Sequence, residues 1–346
     1  MTVIDVHAHA DVPEIAALVG GRPGHEAELA AQLSTFGPAS TRINAELSRT
    51  AWRPALDDLA VRLAAMDRAG VDVQVVSVIP NLYHYWADAG LAEDIVAAAN
   101  ERIAALVAAA PTRLVGLATV GLQHPGPAAR QLRHAVTHLG MSGVEISTAA
   151  GGRELDDRAL DPFWAACEEL SAFVFIHPWG CPLSGRLATA YLGNVVGNPV
   201  ETTLALNRIV FGGVLDRFPL LRICAAHGGG YFPHYLGRAD HAYAVRPESR
   251  TMARPPSGYL DALWVDSLVY APDELRRLAS VMGAERVLLG SDFPFDMGVA
   301  DPVARVRAAG LATAVEDAVL GTSAAMLLPG LREERDALRQ GSHGRR

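Results

Sequence analysis

Ile4-Asp5-Val6-His7-Ala8-His9 decides the fold: a strand-like run that ends in two histidines two residues apart. The same construction recurs along the chain. His177 closes Phe173-Val174-Phe175-Ile176, His227 closes Ile223-Cys224-Ala225-Ala226, and Asp292 follows Val287-Leu288-Leu289-Gly290-Ser291. Strands buried on both faces of a parallel sheet read as nearly continuous apolar runs. Eight such runs can be counted, at residues 3–9, 71–79, 113–120, 141–147, 172–178, 221–227, 263–269 and 287–294. Helical stretches separate them, clearest at 57–69, 91–109, 127–139, 158–171, 201–216 and 272–283. Gly70, Gly140 and Gly283 stand where C-cap glycines belong. Eight alternating units predict an α/β fold, a (β/α)₈ TIM barrel, in which the polar strand ends meet at the C-terminal face that carries active sites. A single domain over 1–328 is expected. Residues 13–50 read as a small insertion after the first strand, a flap over the barrel mouth, and 329–346 as a flexible polar tail.

Bulk properties exclude several functions. The chain has 346 residues, 50% of them hydrophobic, and a net charge of −8, which gives no reason to expect nucleic acid or anionic lipid as partner. No apolar run approaches the roughly 18 residues of a membrane span, and polar residues interrupt the first strand too soon for a secretion signal. Cys167, Cys181 and Cys224 are odd in number and lack metal-type spacing, so reduced thiols and a cytoplasmic location are expected. All 30 basic residues are arginine. Without lysine, Schiff-base chemistry and a carboxylated-lysine metal bridge are both excluded. Arginine offers instead bidentate forks for carboxylates.

Residues i and i+2 of a strand share a face, so His7 and His9 both project into the barrel with Cα atoms about 6.6 Å apart. With His177 and Asp292 they make a nitrogen and oxygen ligand set that suits Zn²⁺ and tolerates Fe or Mn. His227 opens His227-Gly228-Gly229-Gly230 and reads either as a fifth ligand or as a general base. The HGGG run also occurs in hydrolase oxyanion holes, but no G-x-S-x-G elbow accompanies it here. Glu145, at the end of the fourth strand, is a candidate to bridge a second metal or to brace a ligand histidine. Asp266 reads as such a brace. Tyr83, His84, Tyr85 and Trp86 follow the second strand and are candidates for the pocket wall. His25, His124, His234, His241 and His343 read as surface residues.

With those residues laid out, the chain resembles the amidohydrolase superfamily, and within it the decarboxylase branch typified by the aminocarboxymuconate-semialdehyde decarboxylases. The likeness rests on Asp5-Val6-His7-Ala8-His9, on Met66-Asp67-Arg68-Ala69-Gly70-Val71-Asp72, on His177-Pro178-Trp179, on the HGGG run and on Leu289-Gly290-Ser291-Asp292-Phe293-Pro294-Phe295. It implies a single Zn²⁺ held by His7, His9, His177 and Asp292 with a bound water that His227 activates. The implied function is a metal-dependent, non-oxidative decarboxylase of a small unsaturated or aromatic carboxylic acid. The resemblance also implies a homodimer with a shared active site, in which one arginine of each chain grips the neighbour's substrate. Arg238 and Arg246 match the positions after HGGG, and Arg49, with Arg53 as fallback, matches an arginine before the second barrel unit. Trp179 belongs to the matched pocket, and Tyr191 stands where the branch has a tryptophan. Glu145 departs from the branch pattern. It keeps open a binuclear, Glu145-bridged hydrolase or an iron-dependent oxygenase.

Overall fold

The computed structural model describes residues 1–328; the expected tail of 329–346 lies outside them. Eight parallel strands run β1 Ile4–Ala10, β2 Val73–Val78, β3 Leu114–Ala118, β4 Gly143–Ile146, β5 Phe173–Ile176, β6 Arg222–Ala225, β7 Leu263–Asp266 and β8 Val287–Leu288. They pair in sequence order. The barrel closes where the segment after β8 meets β1: Val6 N–H donates to the Leu289 carbonyl at 2.8 Å, and Asp292 N–H to the His7 carbonyl at 2.9 Å. Seven of the strands fall within the runs expected from the sequence, and β1 extends one residue past its run, to Ala10. The architecture is a (β/α)₈ barrel.

Local chemistry explains the boundaries. Asp58 caps helix Leu59–Ala69 by accepting from Ala60 N–H at 2.8 Å, and Gly70 ends it in the left-handed conformation (φ 70°) that glycine adopts without a Cβ penalty. Asp88 caps helix Ala89–Ala109 in the same manner. Alternation within the strands separates two cores. Val73 and Val75, Val115 and Leu117, Phe173 and Phe175, and Cys224 and Ala226 fill the barrel interior, whereas Val76, Val78, Val144, Ile146, Val174 and Ile176 pack against the helices.

One irregularity decides how β1 presents its histidines. Ile4 pairs with Val73 and Asp5 with Gln74, but Ala8 pairs with Val76 and His9 with Ser77, so β1 carries one extra residue between them. Ile4 and Val6 face the interior below this bulge, and Asp5 faces the surrounding helices. A strict period of two would send His7 and His9 outward with Asp5. The bulge turns them inward, the re-aiming that bulges near active sites supply.

The insertion after β1 is helical. It comprises Ile15–Val19, the long helix Pro23–Leu47 with a kink at Gly37-Pro38, and a further turn over Ser48–Trp52. Among the described residues no helix is long and apolar enough to cross a membrane.

Candidate functional site

The strand ends bring the expected donors together. His7, His177, His227 and Asp292 each place a ligating atom within 4.8 Å of the others. The Asp292 Oδ1 lies 3.3 Å from both His7 Nε2 and His9 Nε2, and its Oδ2 lies 3.6 Å from His227 Nε2. His7 Nε2, His9 Nε2, His177 Nε2 and Asp292 Oδ1 are buried, and none makes a hydrogen bond. Buried polar atoms are ordinarily satisfied, at a cost of about 1–3 kcal/mol for each that is not. Four orphaned donors facing one point fit a metal ion.

The opposite ring nitrogens are spoken for, which sets the tautomers. His7 Nδ1–H donates to Asp266 Oδ2 at 2.7 Å, and His9 Nδ1–H donates to the Val78 carbonyl at 3.0 Å. With Nδ1 so engaged, each ring in its neutral form presents its Nε2 lone pair to the centre. Asp266 also accepts from Gly228 N–H at 2.7 Å, so one carboxylate ties His7 to the HGGG turn. Burial alone would lower the His7 pKa, but the charges of Asp292 and Asp266 lift it to about 10. Burial, together with the neighbouring His9, His7 and His227, holds His177 well below the usual histidine range. Burial would raise Asp292, yet His7 and His227 keep it well below the usual carboxylate range. Asp266→Asn is expected to weaken metal affinity about 10–100-fold while the fold persists, as read by chelator competition. Unchanged affinity would remove Asp266 from the centre's support.

His227 and Asp292 both hold φ at 56°, a left-handed conformation seldom adopted outside glycine. The three glycines after His227 are sterically required: a Cβ would lie 2.4 Å from Val269 at Gly228 and 2.3 Å from the Pro199 carbonyl at Gly230. Their absent side chains let the turn fold back over the barrel.

Glu145 lies inside the barrel, but its oxygens are engaged. Ser77 Oγ–H donates to Oε2 at 2.5 Å and Tyr83 O–H to Oε1 at 2.6 Å, while His9 Nδ1 stays 3.8 Å away. Burial raises the Glu145 pKa. The carboxylate braces the His9 side of the centre rather than standing among the convergent donors.

A cavity of about 650 Å³ opens above the centre, and His177 and Asp292 form part of its floor. Phe36, Trp52, Trp179, Tyr191 and Phe295 supply aromatic walls, with Trp52 edge-on to Phe295 at 5.1 Å. Asn44, Asn81, Asn194 and Asn198 supply amides. Trp179 and Tyr191 thus lie where the sequence expected them. None of the candidate arginines lines this cavity, and for Arg238 the expected place was a second copy's pocket rather than this one. Arg49 is exposed and donates to the Ala45 carbonyl, Arg53 and Arg238 are exposed, and Arg246 pairs with Glu248. No arginine of this chain lines the cavity among the described residues. Nor do Tyr83, His84, Tyr85 or Trp86: Tyr83 stacks on Tyr85 beneath the wall and reaches Glu145 instead.

A network behind β1 escaped the sequence reading. Asp5 accepts from Ser291 Oγ–H at 2.6 Å and from Gln74 Nε2–H at 2.9 Å. The buried Arg62 donates to Gln74 Oε1 at 2.6 Å and to the His9 carbonyl at 2.5 Å. Burial lowers the Arg62 pKa to about 10, against the opposing pull of Asp5. The only sequence signal was an arginine on an otherwise apolar helix face.

A parallel barrel with a histidine and aspartate centre at its C-terminal mouth places this protein among metal-centred barrel enzymes. The chain belongs to the amidohydrolase family, whose model, described as Amidohydrolase, matches residues 4–330. It is 38% identical over 255 residues to 2-amino-3-carboxymuconate-6-semialdehyde decarboxylase of Dictyostelium discoideum, covering 73% of this chain and 70% of that one. Its structure is similar to that of 5-carboxyvanillate decarboxylase from Sphingomonas paucimobilis, with a TM-score of 0.82, 27% identity, and coverage of 95% and 99%. The 5-carboxyvanillate decarboxylase of Novosphingobium aromaticivorans, crystallised with manganese and 4-hydroxy-3-methoxy-5-nitrobenzoic acid, shares the fold at a TM-score of 0.81 and 24% identity, with coverage of 95% and 96%.

Proposed function

We propose that this protein is a metal-dependent, non-oxidative decarboxylase of a small planar carboxylic acid, aromatic or conjugated. The observation that carries the reading is the set of orphaned donors at the floor of an aromatic-walled cavity, in a chain whose relatives are decarboxylases. His7, His9, His177 and Asp292 would hold the ion. Three imidazoles and one carboxylate suit zinc and accommodate manganese. When bound, the metal supplies positive charge that orients an anionic substrate and offsets charge developing on it.

The chain's own groups do the rest. The aromatic walls exclude water and hold a planar ring over the floor. His227 delivers a proton from Nε2 to the carbon that bears the carboxylate. The carbon–carboxylate bond then breaks, its electron pair restores the conjugated system, and CO₂ leaves. Solvent returns the proton to His227, so the balance is one proton consumed per CO₂ released. Incubation with candidate aromatic carboxylates under air and under nitrogen tests this, with CO₂ and product followed by mass spectrometry. Equal turnover in both atmospheres is expected. A strict requirement for O₂ would overturn the proposal. Glu145→Gln is expected to leave the metal content unchanged, and loss of one equivalent would reinstate a bridged binuclear centre.

A cavity that no arginine among the described residues lines fits a shared site, in which Arg238 of a second copy enters to hold a substrate carboxylate by charge-assisted bonds. Mixing inactive Arg238→Ala with inactive His227→Ala subunits should then restore part of the activity, because each mixed dimer carries one intact composite site. No recovery after verified subunit exchange would exclude the sharing.

A further inference from the structure

Helix Pro23–Leu47 walls one side of the cavity through Leu29, Gln32, Phe36 and Asn44. Its first turns also meet the loop after β2, some distance along the chain from every donor of the barrel centre. There His25, Glu28 and His84 each bring one donor atom within 4.8 Å of the others. Glu28 Oε2 lies 2.7 Å from His84 Nδ1 and 3.7 Å from His25 Nδ1, and it accepts from Trp86 Nε1–H at 3.1 Å. His84 is only 3% exposed. His84 Nε2 and His25 Nδ1 are buried and lack hydrogen-bond partners.

Two further features show that the cluster is built into the fold. His84 holds φ at 44°, a conformation that persists only where the surroundings over-determine it. Gly24 lets the helix abut the loop, since a Cβ there would lie 2.1 Å from the Trp86 ring. The expectation that His25 is a simple surface residue fails for this reason: the helix lays it against His84, with their ring centroids 5.6 Å apart.

We propose that His25, Glu28 and His84 form a second metal site, suited to zinc, that fastens the cavity-walling helix to the barrel. Two imidazoles and one carboxylate are a recurrent zinc donor set, with the fourth position left to water. Zinc takes the place of the hydrogen that His84 Nδ1 shares with Glu28, and a neutral ring carries that hydrogen on Nε2 instead. The side chains of His25 and Glu28 are 25% and 17% exposed, which gives the ion a route in from solvent. Nothing in the site reaches the reacting atoms. Its effect on catalysis passes through the order of Leu29, Phe36 and Asn44 in the wall.

The test uses the full-length protein, stripped with chelator and titrated with zinc against a competing indicator. Wild type should bind two equivalents. His25→Ala and Glu28→Gln should each bind one, and so should His177→Ala, which damages the barrel centre instead. Amide hydrogen exchange gives the second readout. With zinc at about 100 times its dissociation constant, opening of helix Pro23–Leu47 should slow about a hundredfold in wild type and in His177→Ala, but not in His25→Ala. Because His25 is partly exposed and sits near the start of its helix, its replacement should leave the fold intact. A wild-type stoichiometry of one would overturn the proposal. So would a second equivalent that survives both His25→Ala and Glu28→Gln.

Discussion

His227→Ala should retain wild-type metal content at the barrel centre and lose about 10²–10⁴-fold in turnover, the usual range for removing a general acid or base. His227 stands at the rim of the donor set. Its Nε2 lies 3.6 Å from Asp292 Oδ2, farther than the 3.3 Å that separates Asp292 Oδ1 from either β1 histidine. Its side chain is 13% exposed whereas those of His7 and His9 are fully buried. The glycine turn and the left-handed backbone hold it there at a conformational cost that a mere packing residue would not require. Metal analysis and single-turnover kinetics on the same preparation separate the outcomes. Metal lost together with activity would make His227 a ligand, and unchanged turnover would remove it from the reaction.

Chelation should have the larger effect, taking turnover to the uncatalysed background, with recovery on adding back zinc or manganese. The ion that restores more activity at equal occupancy identifies the working metal. The affinity should also depend on pH, with a definite sign. In the metal-free centre Asp292 and Asp266 hold the His7 pKa at about 10, so below that pH its Nε2 carries a proton that an incoming ion must displace. Binding therefore releases a proton, and apparent affinity should fall about tenfold for each unit of decreasing pH. Affinity independent of pH between 6 and 9, an interval of roughly three units below that value, would show that His7 is already neutral or is not a ligand. Asp292→Ala should mimic chelation, since it removes a donor and the charge facing three histidines.

The barrel was legible in the sequence because its signal is redundant. Eight apolar runs, separated by amphipathic stretches with glycine stops, admit few other architectures, and each run needs to be read only as a strand. The polar residue ending four of those runs marked the centre for a similar reason: in a parallel barrel, strand ends share one face whatever the loops do. Trp179 follows His177 directly and inherits its placement, which is why it was found. Arg49 and Arg53 were not found in the cavity, because they belong to helices whose rotation and reach no strand pattern constrains. Glu145 was placed correctly in the interior, but its partners Ser77 and Tyr83 come from another strand and loop.

The sequence by itself determined the strand count, the order of the donors along the chain and, through the absence of lysine, which barrel chemistries are closed to this protein. Tertiary structure alone decided the inward aim of His7 and His9. Parity along β1 would have sent them outward with Asp5, and only pairing with β2 reveals the extra residue that turns them in. Tertiary structure also decided that Arg62 is buried against Gln74 and the His9 carbonyl, and that His25 and His84, 59 positions apart in the chain, face one carboxylate. The physical reason is common to all three. Periodicity records which side of an element a residue occupies, whereas the register between elements, and the partner met there, are settled only when the chain packs.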